Sequence, residues 1–199
     1  MSKAAEKGAS AVPDGRRLRS ERSRRAIIDA ALELMEEGNL VPTAQQISDR
    51  AGVGIRSFFR HYADMETLFV AIDEQSRESV ESVFVGGDRD GTMEERLQHA
   101  IERHADGYEK HTKMILSTAA QRWRYEFLRK NYARYQRGLR KDLDDWLPEL
   151  KQLPRSDPEA VDAIASFEMW HRLREHQGLS KKAATEMVVN LISGVLAST

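Results

Sequence analysis

The 199-residue sequence contains no cysteine. No disulfide can brace the chain and no thiolate can ligate a metal or act as a nucleophile, which fits a reducing compartment. Proline is scarce, with five residues, and nowhere is there an apolar run of about 18 residues that would suit a membrane span. A secretory leader pattern is also missing, so the expectation is a cytoplasmic protein with no membrane partner. No glycine-rich loop that could cradle a phosphate, no nucleophile elbow and no histidine beside an activatable serine is present. His99, His104 and His111 lack the i, i+4 pairing with a nearby carboxylate that a helical metal site wants. The sequence therefore predicts neither an enzyme nor a bound cofactor or metal.

What is present reads as helix. Apolar residues make up 40% and charged residues 32% of the chain, the composition of a globular protein, and the length allows one sizeable core or a small module fused to a larger one. No segment alternates with period two. The expected fold class is all-α, with about nine helices. The net charge of -1 conceals an asymmetry: residues 1–62 hold 11 Lys or Arg against 8 Asp or Glu. Most of that excess lies in RRLRSERSRR, Arg16 to Arg25. Such a run is either a solvated tail or an arm that binds a polyanion.

The helix signals follow in order. Ile27, Ala30, Ala31, Leu34 and Met35 recur at three and four residues from about Leu18 onward, and Gly38 is a natural stop. Thr43 and Gln46 have capping-box spacing for a short second helix. Asp64 can cap a fourth helix carrying Leu68, Phe69, Ile72 and Val80 to the Gly86-Gly87 break. Thr92 and Glu95 form another capping box, ahead of a stripe of Met93, Leu97, Ile101, His104 and Tyr108. Thr112 to Ala120 reads as a separate helix or the start of the next. Tyr125 to Trp146 reads as the longest helix, stopped at Pro148. Asp157-Pro158 opens a helix ending near Gly178, and Ser180 caps the last one.

Between these lies ISDRAGVGIRSFFRHYADMETLF, Ile47 to Phe69. With Phe58 facing a core, Tyr62 falls within about 40 degrees of it, while Arg56 and Arg60 land on the opposite side, flanked by Ser57 and Phe59. A short helix, a turn containing Gly52, and a second helix with long cations outward form the helix-turn-helix pattern, whose second helix fits a DNA major groove. Guanidinium forks suit guanine edges, and Thr43 and His61 suit phosphate oxygens.

RRAIIDAALELMEEG followed by TAQQISDRAGVGIRSFFRHYADMETLF resembles the TetR-like (tetracycline repressor-like) transcriptional regulators, over roughly Arg24 to Ala71. By that resemblance Thr43, Ser57, His61 and the neighbourhood of Phe59 would touch the backbone of double-stranded DNA, while Ile55, Arg56 and Arg60 would approach base edges. Phe59 stands where the family usually has a tyrosine, and Met65 where it usually has a lysine. Both departures remove a polar backbone contact, which Arg56, Arg60 or the arginine-rich arm would offset. The expected organisation is a disordered basic arm over residues 1–17, a helix-turn-helix domain over 18–63, and a helical ligand-binding and dimerisation domain over 64–199.

In that last domain the final two helices are apolar on more than one face and need cover from a second subunit as well as from their own domain. Phe167, Met187, Leu191 and Val195 are the candidate dimer contacts. The resemblance further implies a cavity for a small-molecule effector, for which His104, Tyr108, Trp123, Phe127, Met169 and Trp170 are candidates; plain core packing is the simpler role for each. The implied function is a ligand-responsive repressor, a homodimer released from a pseudo-palindromic operator by an apolar or aromatic molecule as the fourth helix shifts the reading heads off their spacing of about 34 Å. A constitutive helical interaction protein that uses the arm alone, and a helical enzyme that turns its ligand over, are the alternatives.

Overall fold

The computed structural model describes residues 15–84 and 86–197, and among these it is entirely helical, with no strand. The expectation for residues 1–14 lies outside the described residues. Helix α1 (Gly15–Glu36) begins earlier than the sequence pattern indicates, so Arg16 and Arg17 stand on a helix rather than in an unstructured arm. Nothing between Gly15 and Ile27 breaks a helix, and Arg17 pairs with Glu21 one turn on at 3.1 Å. The buried face of α1 starts only at Ile27 and runs through Ala31 to Met35. Its first three turns therefore project with every arginine exposed.

Helices α2 (Ala44–Arg50) and α3 (Ile55–His61) follow, then α4 (Met65–Phe84). Both predicted capping boxes form: Thr43 Oγ1 accepts from Gln46 N at 3.2 Å while Thr43 N donates to Gln46 Oε1 at 2.9 Å. Thr92 and Glu95 repeat the pattern at 3.2 and 2.8 Å. Asp64 Oδ1 accepts from Thr67 N at 2.7 Å and so opens α4.

Helix α5 (Met93–Gln121) is the longest among the described residues, not α6 (Glu126–Trp146), because Thr112 to Ala120 continue it without a break. Thr112 does not start anything new; its hydroxyl donates back to Tyr108 O at 2.6 Å inside the running helix. After a 3-10 turn (Pro148–Gln152), the single helix expected from Asp157 to Gly178 is divided into α7 (Ser156–Ile164), α8 (Phe167–His171) and a π-helical turn (Arg172–His176). Ser166 causes the break: its Oγ donates to Ala163 O at 2.7 Å and accepts from Met169 N at 3.2 Å, ending one helix and capping the next. Helix α9 (Lys181–Ala197) closes the fold.

Two apolar cores result. The smaller joins α1, α2, α3 and the first half of α4 around Ile27, Ile47, Phe58, Tyr62 and Leu68, with Leu128 of α6 reaching in. The larger lies among α5 to α9 around Leu97, Ile101, Trp146, Val161, Trp170 and Ile192. At Gly87 the chain passes so close to Trp146 that a Cβ would sit 2.8 Å from the indole, and φ is +97°, so only glycine fits.

Candidate nucleic-acid interface and ligand cavity

Helix α3 is fixed by its back. Phe58 and Tyr62 are fully buried, with ring centroids 6.1 Å apart, and the Tyr62 hydroxyl donates to Arg24 O at 3.2 Å. Arg24 also lies over the Tyr62 ring, 5.4 Å from its centroid. The turn into α3 depends on Gly52 at φ +65°, a conformation that side chains with a Cβ resist. Arg50 at the end of α2 grips Glu37 at the end of α1 through two bonds of 2.9 and 2.6 Å. The Arg50 hydrogen bond holds the Glu37 carboxyl below the usual carboxylate range.

The front of α3 is open. Arg56 and Arg60 are exposed, Phe59 is 49% exposed, and Ile55, Ser57 and His61 are half-buried beside them. Arg60 rests on Ser57, donating to its Oγ at 2.8 Å. Burial, and then the nearby charges of Arg60 and Arg24, push His61 below the ordinary imidazole range, so near neutral pH it offers a neutral ring. Thr43 is exposed at the start of α2, its hydroxyl engaged in the cap. All seven residues singled out in the sequence are thus found in the helix-turn-helix segment.

The second site is a cavity of about 100 Å³ bounded by α1, α4, α5, α6 and α8. Of the six sequence candidates only Tyr108 lines it. His104 is a core residue, 1% exposed, with Nε2 3.0 Å from Asp142 Oδ2, while Arg89 donates to Asp142 Oδ1 at 2.8 Å. Trp123 sits in the turn after α5, 81% exposed, its indole N–H donating to Ala120 O at 2.9 Å. Phe127 packs against the smaller core and Met169 against the larger. Trp170 is buried and donates to Glu109 Oε1 at 3.0 Å. Phe167, named above as a dimer contact, is only 4% exposed and forms part of the cavity wall. Met187 and Leu191 remain on the surface of α9, 39% and 43% exposed, with Val195 half-exposed one turn beyond.

The sequence reading missed the polar wall of this cavity. Asp73 of α4 is 5% exposed and accepts at Oδ1 from Asn131 (3.1 Å), Arg134 (2.9 Å) and Tyr135 (3.1 Å), all from α6. Its Oδ2 accepts from Arg77 one turn along. Burial alone would push the Asp73 carboxyl up, but the bonds from Arg77 and Asn131 and the charge of Arg134 outweigh it and hold the group below the usual carboxylate range. A carboxyl so held adds stability above its unfolded pKa and loses it as the pH falls through the folded value. Asp73→Asn therefore lowers unfolding free energy by about 1–3 kcal/mol near neutral pH. In denaturant titrations repeated at several pH values, its gap to the wild type closes below about pH 4. Asp73 lies 58 to 62 residues from Asn131, Arg134 and Tyr135, two helices further on, so no local pattern could have pointed to this cluster.

The cavity is also joined to the helix-turn-helix segment. Ser117 and Gln121 of α5 line it, are 2% and 4% exposed, and donate to Leu40 O, in the connection between α1 and α2, at 2.7 and 3.1 Å. Glu66 at the start of α4 accepts from Phe127 N of α6 at 2.6 Å. Among the described residues no three His, Asp or Glu side chains gather as a metal site, and no helix is long and apolar enough to cross a membrane.

Comparison with known proteins agrees with this architecture. Residues 27–72 match the family model described as bacterial regulatory proteins, tetR family. A search of curated proteins returns no match. The fold is similar to that of a transcriptional regulator from Rhodococcus sp. Rha1, at 15% identity and TM-score 0.66 over 90% of this chain and 96% of that one. A TetR-like transcriptional regulator from Rhodococcus sp. RHA1 gives 17% identity and TM-score 0.60, over 94% of this chain and 100% of that one. The multidrug binding protein EbrR complexed with imidazole gives 19% and 0.58, over 94% and 97%. At these identities the structural likeness concerns the fold.

Proposed function

We propose that this protein is a DNA-binding transcriptional regulator that acts as a homodimer and responds to a small molecule, because residues 27–72 match the tetR family model and the fold is similar to that of a transcriptional regulator over 90% of the chain. The observation that carries the reading is the division of α3: Phe58 and Tyr62 fully buried behind, Arg56 and Arg60 exposed in front. A helix clamped by its aromatic back presents its cations at a fixed angle, which reading base edges requires and general attraction to acidic partners does not. Arg56 and Arg60 approach base edges, with Ile55 beside them. Thr43, Ser57, His61 and the surroundings of Phe59 lie against the phosphate backbone.

The stripe of Met187, Leu191 and Val195 on α9 supports a second copy packing there, and two-fold symmetry pairs with a pseudo-palindromic operator. The cavity supports an apolar or aromatic effector. Its walls include Met35 of α1 and Phe69 of α4, and Ser117 and Gln121 hold the α1–α2 connection directly. A molecule that fits only when these walls are displaced binds the DNA-incompetent form more tightly, the condition for release of a repressor. Selection of bound sequences from random duplexes tests the reading. Recovery of a palindromic motif supports it; enrichment of no motif overturns it in favour of the interaction protein.

The projecting start of α1 adds a second expectation. Arg16, Arg17, Arg19 and Arg22 are exposed and lie on the chain just before Arg24, which touches the end of α3. If they neutralise phosphates, replacing all four by glutamine lowers the slope of log K against log salt by about 0.9 per lost contact, without changing which sequence is preferred. Binding isotherms at four or five salt concentrations measure it; an unchanged slope makes this segment a solvated tail.

A further inference from the structure

Helix α4 shares a core with α3. Leu68, Phe69 and Ile72 of its first half pack in the smaller core with Phe58 and Tyr62, so α3 follows α4 wherever it leans. Helix α6 spans both cores, with Leu128 in the smaller and Leu143 and Trp146 in the larger. The placement of α4 on α6 therefore sets how the open front of α3 is held relative to the larger core.

Two acids of α4 fix that placement. Glu66 and Asp73 are seven residues apart, about two helical turns, and so fall on one face. Helix α6 has no side-chain cap of its own at Tyr125; Glu66 Oε1 supplies one from α4, accepting from Phe127 N at 2.6 Å. Asp73 Oδ1 accepts from the next turns of α6, from Asn131 at 3.1 Å, Arg134 at 2.9 Å and Tyr135 at 3.1 Å. Between the two acids the Phe69 ring meets Tyr125 edge-on, with centroids 5.1 Å apart. Apolar contact by itself is non-directional and lets one helix slide on another. Charge-assisted bonds at two points fix both the position and the rotation. Taking the chain as a homodimeric DNA-binding regulator, we propose that Glu66 and Asp73 form a two-point clasp that holds α3 at one angle to the larger domain and so sets the half-site spacing the dimer accepts. Both are positioning residues: they act through α6 and α4 on the placement of α3.

One extra base pair between half-sites moves a half-site by about 3.4 Å along the duplex and turns it by about 35°, so a rigidly held pair of α3 helices accepts one spacing. The test uses the full-length protein and duplexes carrying two copies of the half-site found by selection, at spacings stepped one base pair at a time. The wild type shows one sharp optimum. Glu66→Met, which removes an acceptor, and Asp73→Asn, which removes the charge, each cut the advantage of the best spacing over its neighbours by about threefold, and the double variant by about tenfold. The preferred half-site sequence stays the same. Glu66→Gln, which keeps an oxygen for Phe127 N, retains the wild-type profile. So does Leu150→Ala, a destabilising change in the larger core, at a temperature where thermal denaturation shows every variant folded. An unchanged profile in the double variant, equal broadening by Leu150→Ala, or an altered half-site sequence overturns the clasp while leaving the regulator reading in place. Failure of the wild type to select any motif removes that reading and the clasp with it.

Discussion

Arg56→Ala with Arg60→Ala leaves the melting temperature of the protein where it was and removes sequence-specific binding to duplex DNA. Both side chains are exposed and neither supports the core, so surface substitution there costs within about 0.5 kcal/mol of stability. Each guanidinium engaged with a base edge accounts for about 1–3 kcal/mol of discrimination. Losing both weakens binding to the selected site by about thirty-fold at the least and about twenty-thousand-fold at the most. Binding to a scrambled duplex changes much less, because the arginines of α1 and the remaining backbone contacts are untouched. A competition titration of selected against scrambled duplex reads both at once. If specific and non-specific binding fall together, the two arginines act as plain counter-charges and α3 does not read bases.

Phe58→Ala has the opposite signature. Phe58 is fully buried between α1, α2 and α4 and makes an edge-to-face contact with Phe59 at 5.2 Å. Truncating a phenylalanine in such a place costs about 3–5 kcal/mol, a large share of the roughly 5–15 kcal/mol that holds a domain folded. The expected result is a steep loss of thermal stability, followed at higher temperature by loss of all DNA binding. The neighbouring Phe59→Ala serves as the comparison, since that ring is 49% exposed. Its effect on stability is small, within about 1 kcal/mol, and whatever it does to DNA binding is therefore a contact effect. Thermal denaturation of the pair, followed by circular dichroism, separates anchor from contact. Equal destabilisation by the two substitutions would contradict the division of α3 into a buried back and an open front.

Much of the helix-turn-helix segment was readable from local rules. The two capping boxes, the Asp64 cap and the glycine turn are set by residues within a few positions of each other, so the chain specifies them without help from distant partners. The angular arithmetic that placed Phe58 and Tyr62 inward and Arg56 and Arg60 outward needs only the helical period. Helix limits were less secure where a residue has two uses. Ser166 reads as an ordinary helix position, yet it ends α7 and caps α8. Thr112 reads as a start signal, yet it bonds back into α5.

The cavity was the least legible part. Large aromatics on helical stripes were its expected lining, but that rule cannot tell a packed core from a gap, nor a stripe from a turn. Trp123 lies on the surface, while His104 has its partner in Asp142, 38 residues away. Asp73 attracts no notice in the sequence, and His111 draws it only as a residue without metal-site spacing, because an acid and a histidine on charged helices look solvated.

The sequence by itself determined the helices, their caps, the glycine turn and the two faces of α3, since each depends on groups near in the chain and on a fixed period. Only the tertiary structure decided where five helices leave a space, which buried polar groups find partners across it, and how Ser117 and Gln121 come to hold the Leu40 carbonyl. Those outcomes are set by the packing of side chains from distant segments, where a small difference in fit separates a filled core from a binding site.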